Sequence, residues 1–274
     1  MDQIIQDNVR IALAEDLGSG DITAGLIAAD QSARARIVVR ESAILCGSAW
    51  FEEVFKQLGG GVKIQWHFAD GDTLALDQEV CELQGPARIL LSGERTALNF
   101  LQTLSGTATL TRRYVDAIEG TGTRLLDTRK TIPGLRAAQK YAVRCGGGYN
   151  HRMGLYDAVL IKENHIHAAG SIITAVQKAR QLQPRAPLVV EVESLEQIKE
   201  ALTVDTPRLL LDNMAPATLC KAVQLTAKQA QLEASGGITL SNIRSIADTG
   251  VDFISIGDLT KNLKAIDFSM RFLD

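Results

Sequence analysis

The chain has 274 residues, 46% of them apolar and 22% charged, with 29 basic and 32 acidic side chains and a net charge of −3. This is the balance of a soluble α/β protein of one large or two smaller domains, and its slight acidity argues against general nucleic-acid binding. No apolar run approaches the ~18 residues of a membrane span, and the acidic opening MDQIIQDNVRIALAEDLG does not read as a secretory leader. Cys46, Cys81, Cys145 and Cys220 form no CxxC pair, and they read as reduced cysteines of a cytoplasmic protein.

In chain order, the first predicted element is a helix over 2–15, where Ile4, Ile5, Val9, Ala12 and Leu13 recur at helical spacing and Gly18 stops it. The turn at 18–23 offers Asp21 as a cap for the next segment. Arg34 to Arg40 alternates around Ile37, Val38 and Val39 as a half-buried strand. A helix over 49–58 ends at Gly59-Gly60-Gly61, and 62–66 alternates strictly before the turn at Asp70-Gly71-Asp72. Residues 80–83 and 87–91 are expected to pair as a hairpin about Gln84-Gly85-Pro86. The first 90 residues thus predict an α+β domain with an antiparallel sheet and no phosphate loop.

From Ser92 the rhythm changes. Ser92 is a candidate N-cap for a long helix reaching Ile118, which Gly106 is expected to divide. Strands over 124–129, 156–162, 187–192, 208–212, 231–235 and 251–256 then alternate with helical segments over 171–182, 195–202, 216–227 and 240–248. Such alternation gives parallel strands with crossover helices, in a doubly wound sheet or a barrel. Polar groups come directly after every strand: Thr128-Arg129-Lys130, Lys162-Glu163-Asn164, Glu191-Val192-Glu193, Asp212-Asn213, Ser235-Gly236-Gly237 and Gly257-Asp258. A ring-shaped mouth collects all of them, whereas a doubly wound sheet puts most away from its single crevice, so the pattern favours a barrel.

The densest chemistry lies in 124–165, where eight cations face only Asp127, Asp157 and Glu163. Arg129, Lys130 and Lys162 end apolar strands rather than sitting at random, which points to an anion site more than to a solvated basic face. Paired guanidiniums suit a ligand with adjacent carboxylates. Glu191 and Asp212 end strands too, where a carboxylate needs a partner; each can hold a hydrated magnesium ion or stabilise a cationic sugar, or simply pair with Lys130 or Lys162. Ser235-Gly236-Gly237 and Gly257-Asp258 lead into helices after the last two strands, the usual phosphate grip of an α/β barrel. An acid at Asp258 is unfavourable beside a phosphate unless it points away or meets a metal.

Seven strings in order, ERTALN at 94–99, DTRKT at 127–131, GGGYNHRMGL at 146–155, LIKENH at 160–165, LDN at 211–213, ASGGI at 234–238 and GVDFIS at 250–255, resemble the quinolinate phosphoribosyltransferases over nearly the whole chain. The resemblance implies an α/β fold with an N-terminal α+β sandwich domain, 1–105, and an incomplete parallel α/β barrel, 106–264, the tail 265–274 being a candidate to pack back on the first domain. It implies transfer of phosphoribosyl from phosphoribosyl pyrophosphate to quinolinate, with Mg2+ and with loss of carbon dioxide and pyrophosphate. Arg129, His151, Arg152 and Lys162 are expected to hold quinolinate, with Arg95 entering from a second subunit. Thr128, Ser235, Gly236, Gly237, Gly257 and Asp258 are assigned to substrate binding, the loops holding the ribose phosphate. Lys130, Lys162, Glu191 and Asp212 are the expected catalytic residues, Glu191 and Asp212 also holding the metal. A homodimer with shared sites, or a larger assembly, is implied by the same resemblance. The chain departs from the family at Val189, where a third acid is usual, and at Asp258, where a small residue is. The rivals are a related homologue with another substrate, expected to lack the intact Lys162-Glu163-Asn164-His165 string, and a non-catalytic sensor, which needs the cations but not Glu191 and Asp212.

Overall fold

The computed structural model describes residues 1–273. It divides into two compact units: unit 1 holds residues 1–112, 131–147 and the segment from Leu259 onward, and unit 2 holds 113–130 and 148–258.

Unit 1 begins with α1 (Asp2–Leu17), which buries Ile5, Val9 and Leu13 on one face and is stopped at Gly18. Asp21 then caps a short 3-10 turn, its Oδ1 accepting from the amides of Thr23 at 2.8 Å and Ala24 at 3.1 Å. Next come β1 (Ser32–Val39), β2 (Ala43–Ile44), α2 (Ser48–Gln57), β3 (Lys63–Trp66), β4 (Thr73–Leu74), β5 (Glu79–Pro86) and α3 (Ala87–Ala117). The core gathers on α2, where Trp50, Phe51 and Phe55 are at most 2% exposed; each contributes about 1.5–3 kcal/mol of burial or more.

The expected hairpin at 80–83 and 87–91 does not form. β5 runs straight through Gly85 and Pro86, paired antiparallel with Ala33 and Ser32 of β1, and Ala87 then opens α3. The physical reason is the period of 87–91: Ala87 and Leu90 are buried while Leu91 is 40% exposed, which is helical spacing and not strand alternation. Ser92 is therefore inside α3, its hydroxyl donating to Asp21 Oδ2 at 2.7 Å instead of capping. Nor does Gly106 divide the helix; its bare Cα sits against the Lys264 carbonyl, where a side chain would collide.

Along the chain, β6 (Arg124–Leu126) is followed by α4 (Arg136–Cys145), β7 (Val159–Ile161), α5 (Glu163–Ala169), α6 (Ile172–Leu182), β8 (Leu188–Val192), α7 (Leu195–Leu202) and β9 (Arg208–Asp212). Then come α8 (Pro216–Thr226), β10 (Gln231–Ser235), α9 (Ile243–Ala247), β11 (Phe253–Ser255), α10 (Asp258–Lys261) and β12 (Phe268–Leu273). Of these, α4, α10 from Leu259 onward and β12 return to unit 1. α4 sends Ala138 and Ala142 into its core, and β12 pairs antiparallel with β1, from Val39 opposite Phe268 to Arg34 opposite Leu273. The sheet of unit 1 has the order β12-β1-β5-β3, with β2 and β4 as a separate pair.

Unit 2 carries six parallel strands in the order β6-β11-β10-β9-β8-β7. Its last strand, β11, pairs with its first, β6, so this is the barrel closure predicted from sequence, left open at one seam between β6 and β7. Helix starts are set locally: Ser171 and Ser194 accept from the Thr174 and Gln197 amides to begin α6 and α7, and Pro216 opens α8. β7 is shorter than the expected 156–162 because the Asp157 carboxylate accepts from the Met153 and Gly154 amides at 2.6 and 3.0 Å, holding a turn just before it. Among the described residues no helix is long and apolar enough to cross a membrane.

Candidate active site

The carboxyl ends of the six strands of unit 2 bring most of the expected site residues to one end of the sheet. The organising group at β6 is Asp127, fully buried directly after the strand. Its two oxygens accept from Asn150 Nδ2 at 2.6 Å and from the His151 amide at 2.8 Å. Tyr149 bridges Leu126 in parallel register, so residues 149–151 lie along the open edge of β6 as an irregular extension. The His151 ring is fixed from both sides. Its Nδ1 lies 2.7 Å from the Arg152 amide, and its Nε2 lies 3.4 Å from Glu233 Oε2.

Glu233 is a site-supporting residue that the reading of strand ends does not reach. It sits mid-strand in β10, fully buried, with Arg208 of β9 at 2.7 Å and the Arg208 guanidinium 4.0 Å above the Phe253 ring. Burial pushes its carboxyl up, but bonding to His151, the charges of His151 and Arg208, and Ser255 more than offset this and hold it below the ordinary value. The sequence does carry a signal for it: a lone acid inside the apolar run Leu232-Glu233-Ala234 is costly to bury without a cation. Asp127 is a second such residue. In the sequence it looks like one acid opposing a basic run, and in the fold it is the group that the run is built on.

Next to His151, the Arg152 guanidinium donates to the Ala158 carbonyl at 3.2 Å. Its pKa is lowered by burial first and then by the neighbouring Arg129 charge, with Asp157 opposing. A guanidinium whose charged form is disfavoured by a second one beside it is suited to meeting an anion. At β7 and β8, Lys162 Nζ holds Glu191 through both oxygens, at 2.9 and 3.2 Å. The Glu191 carboxyl is raised by burial, lowered by Lys162, and raised again by Asp212 and Glu163. Asp212 is therefore close enough for its charge to act on Glu191.

Asp212 Oδ2 accepts from Asn213 Nδ2 at 2.7 Å, and the Asn213 amide donates to the Ser235 carbonyl at 2.8 Å. Gly236, with φ of +94°, lies so close to the Asn213 side chain that a Cβ there would collide, so the acid and the glycine loop are interlocked. The expected Gly237 comes next, also with positive φ. At the other edge, Thr128 Oγ1 accepts from the Lys130 amide at 3.1 Å, and a Cβ on Gly257 would come within 2.8 Å of Lys130 Cδ. Gly257 thus leaves room for the Lys130 stem to pass. Asp258 opens α10 as an acid in its first turn, where the helix dipole favours it, and its charge acts on Tyr114. Arg95 belongs to unit 1, exposed on α3, where its charge acts on Glu94. His165, in the intact Lys162-Glu163-Asn164-His165 string, has a local role, its Nδ1 accepting from the Lys162 amide at 3.0 Å. Glu193 is exposed beyond the end of β8.

The family models described as the quinolinate phosphoribosyl transferase N-terminal and C-terminal domains match residues 21–105 and 107–271. A Bacillus subtilis relative, a probable nicotinate-nucleotide pyrophosphorylase (carboxylating), is 46% identical over 257 residues, covering 93% of this chain and 89% of its own. The nicotinate-nucleotide pyrophosphorylase (carboxylating) of Mycobacterium leprae is 41% identical, covering 97% and 96%. The solved nicotinate-nucleotide pyrophosphorylase of Francisella tularensis superposes with a TM-score of 0.97 at 46% identity, over 100% of this chain and 97% of that one. With both domain models matched and relatives of this similarity along its length, the chain belongs to the quinolinate phosphoribosyl transferase family.

Proposed function

We propose that the chain transfers the phosphoribosyl group of phosphoribosyl pyrophosphate to the ring nitrogen of quinolinate and releases pyrophosphate and carbon dioxide, giving nicotinate mononucleotide for NAD biosynthesis. The observation that carries this is the company of opposite charges at one set of strand ends: Arg129 beside Arg152, and Glu191 with Lys162 and Asp212. Arg129, His151, Arg152 and Lys162 bind the two carboxylates and turn the ring nitrogen toward the anomeric carbon. The N–C bond forms as the bond to pyrophosphate breaks, and Asp212 and Glu191 stabilise the positive charge that grows on the sugar. Once alkylated, the ring is an electron sink. The carboxylate next to the nitrogen leaves as carbon dioxide, its electron pair stays on the ring carbon, and that carbon takes up a proton. Lys130 and Lys162 orient this carboxylate for departure. The glycine loops at Ser235-Gly236-Gly237 and Gly257-Asp258, with Thr128, bind the ribose phosphate.

Glu191 and Asp212 suit a hydrated Mg2+, because the two carboxylates act on one another and neither is fully buried. When bound, that ion neutralises charge on the leaving pyrophosphate. We assign the active unit as a homodimer, or a larger assembly of it, in which each protomer lends Arg95 to the other's site. We place the protein in the cytoplasm, where Cys46, Cys81, Cys145 and Cys220 stay reduced under resting conditions. The test is pyrophosphate release with quinolinate and then with nicotinate as acceptor. Release with quinolinate alone is expected; turnover of nicotinate at an equal rate overturns the assignment.

A further inference from the structure

Unit 1 carries a cluster of reactive side chains that this chemistry does not use. Cys46 lies between β2 and α2, and Cys145 is the last residue of α4. Their sulfur atoms and a carboxylate oxygen of Asp70 are all within 4.8 Å of one another. Asp70 is already committed: its oxygens accept from the Gly47 amide at 3.1 Å, the Ser48 amide at 3.2 Å and the Tyr141 hydroxyl at 2.9 Å, holding the start of α2. That leaves two thiols facing each other.

The pair is asymmetric. Cys46 is fully buried, and its backbone is clamped to Ser105, whose hydroxyl oxygen accepts from the Cys46 amide at 3.0 Å while its proton is donated to the Cys46 carbonyl at 3.2 Å. Cys145 is partly exposed at a helix end that runs into Gly146 and Gly147. Burial keeps the Cys46 thiol protonated. The hydrogen bond from Cys46, aided by Tyr141 and the Arg144 charge, outweighs burial and the Asp70 charge at Cys145 and draws that thiol below its ordinary value. A partly exposed thiol whose ionisation is favoured, facing a second thiol within 4.8 Å, is the arrangement of a redox-sensitive pair.

We propose that Cys46 and Cys145 form a peroxide-sensitive pair that closes to an intrachain disulfide. The Cys145 thiolate attacks one oxygen of hydrogen peroxide; the O–O bond breaks, the departing hydroxide becomes water, and Cys145 is left as a sulfenic acid. The Cys46 sulfur then attacks the Cys145 sulfur. The S–S bond forms, the S–O bond breaks, and the hydroxide leaves with the Cys46 proton as a second water. Two thiols have lost two electrons to one peroxide. The sulfurs, already within 4.8 Å of one another, must approach to about 2.05 Å. The bridge closes a loop of about a hundred residues and ties the end of α4, which leads by Gly146-Gly147-Gly148 toward His151, to the corner between β2 and α2.

The experiment treats the full-length protein with hydrogen peroxide, blocks free thiols with iodoacetamide and digests with trypsin without reduction. The expected product joins peptide 41–56 to peptide 145–152, lighter by two hydrogens and separated again by dithiothreitol. Exposed Cys220 serves as the internal measure of oxidation. In Cys46→Ser the linked peptide should vanish and Cys145 should advance to sulfinic acid. Because the decisive measurement is on the unaltered protein, a variant that fails to fold does not block it. Two results overturn the proposal: wild-type Cys145 passing to sulfinic acid while Cys46 remains alkylatable after unfolding, or purified protein holding stoichiometric zinc that prevents the link, which would make the cluster a metal site with Asp70.

Discussion

The buried ion cluster behind His151 gives the sharpest prediction, because the perturbation is small and the cost is large. Glu233→Gln keeps the shape of the side chain and removes one charge. Glu233 is fully enclosed, and its Oε2 faces Arg208 at 2.7 Å, so the substitution strands a largely buried guanidinium. Breaking a buried pair from one side costs about 3–5 kcal/mol; the Gln oxygen can still accept from Arg208, which places the expected loss near the lower end, at ~3 kcal/mol. With an m-value of about 3 kcal/mol/M in urea, the unfolding midpoint should fall by roughly 1 M. The pH dependence has a definite sign. The Glu233 carboxyl is held below its ordinary 4.5, so its contribution is complete above that value and fades as pH falls through the depressed one. Wild type and variant should therefore converge in acid and differ most near neutrality. Urea titrations monitored by far-UV circular dichroism at neutral pH and at a pH below the ordinary carboxyl value make the comparison. Coincident midpoints at neutral pH would falsify the claim that this ion pair supports the strand ends.

Four further outcomes are expected. Arg152→Lys keeps charge but loses the planar fork, and the Michaelis constant for quinolinate should rise more than tenfold, about 1.4 kcal/mol; an unchanged constant removes Arg152 from the site. Asp212→Asn should fold normally and turn over at least ~100-fold more slowly, since only the charge facing the sugar is lost; wild-type turnover would make that acid structural. Gly257→Ala puts a methyl group on the path of the Lys130 stem, so kcat should drop while the unfolding midpoint stays within experimental error, and normal kcat would show that Lys130 can move aside at no cost. Arg95→Ala and Lys130→Ala homodimers should each be nearly inactive, while co-refolded mixtures regain activity from dimers with one intact site; no recovery in heterodimers verified by mass would mean that Arg95 serves its own subunit.

How far the sequence can be read depends on the physics of each element. Buried parallel strands such as Leu188-Val189-Val190 and Leu209-Leu210-Leu211 announce themselves as apolar runs, and the polar groups after them mark the mouth. Charges can be placed on one side from sequence but not matched into pairs. That Lys162 takes Glu191 while Glu233 takes Arg208 is decided by strand register, where Glu233 stands opposite Leu210 and Phe253. The helix α4 is masked by its own charge, since Arg136, Lys140 and Arg144 read as part of the basic run, although Ala138, Ala142 and Val143 mark a buried face at spacing of about four. β2 and β4, two residues each, are too short to carry any period. Gly85-Pro86 has the composition of a turn, yet Pro86 is the last strand residue before α3.

The open seam explains why the basic stretch is also the irregular one. β6 and β7 are the first two strands of unit 2, yet they are the two edges of its sheet, and each therefore exposes unpaired backbone groups. On the β6 side that edge is met by the chain returning at Gly148: the Tyr149 amide donates to the Leu125 carbonyl and the Asp127 amide donates to the Tyr149 carbonyl. A further regular strand would have projected side chains alternately in and out and would have left no loop at this position. Instead, Asp127 gathers the Asn150 side chain and the His151 amide, and His151 and Arg152 are delivered on an irregular segment whose course is set by one buried carboxylate. The open edge is in this sense what delivers Arg152 on a loop, because the backbone groups of β6 are met there by the segment after Gly148 and not by a further regular strand.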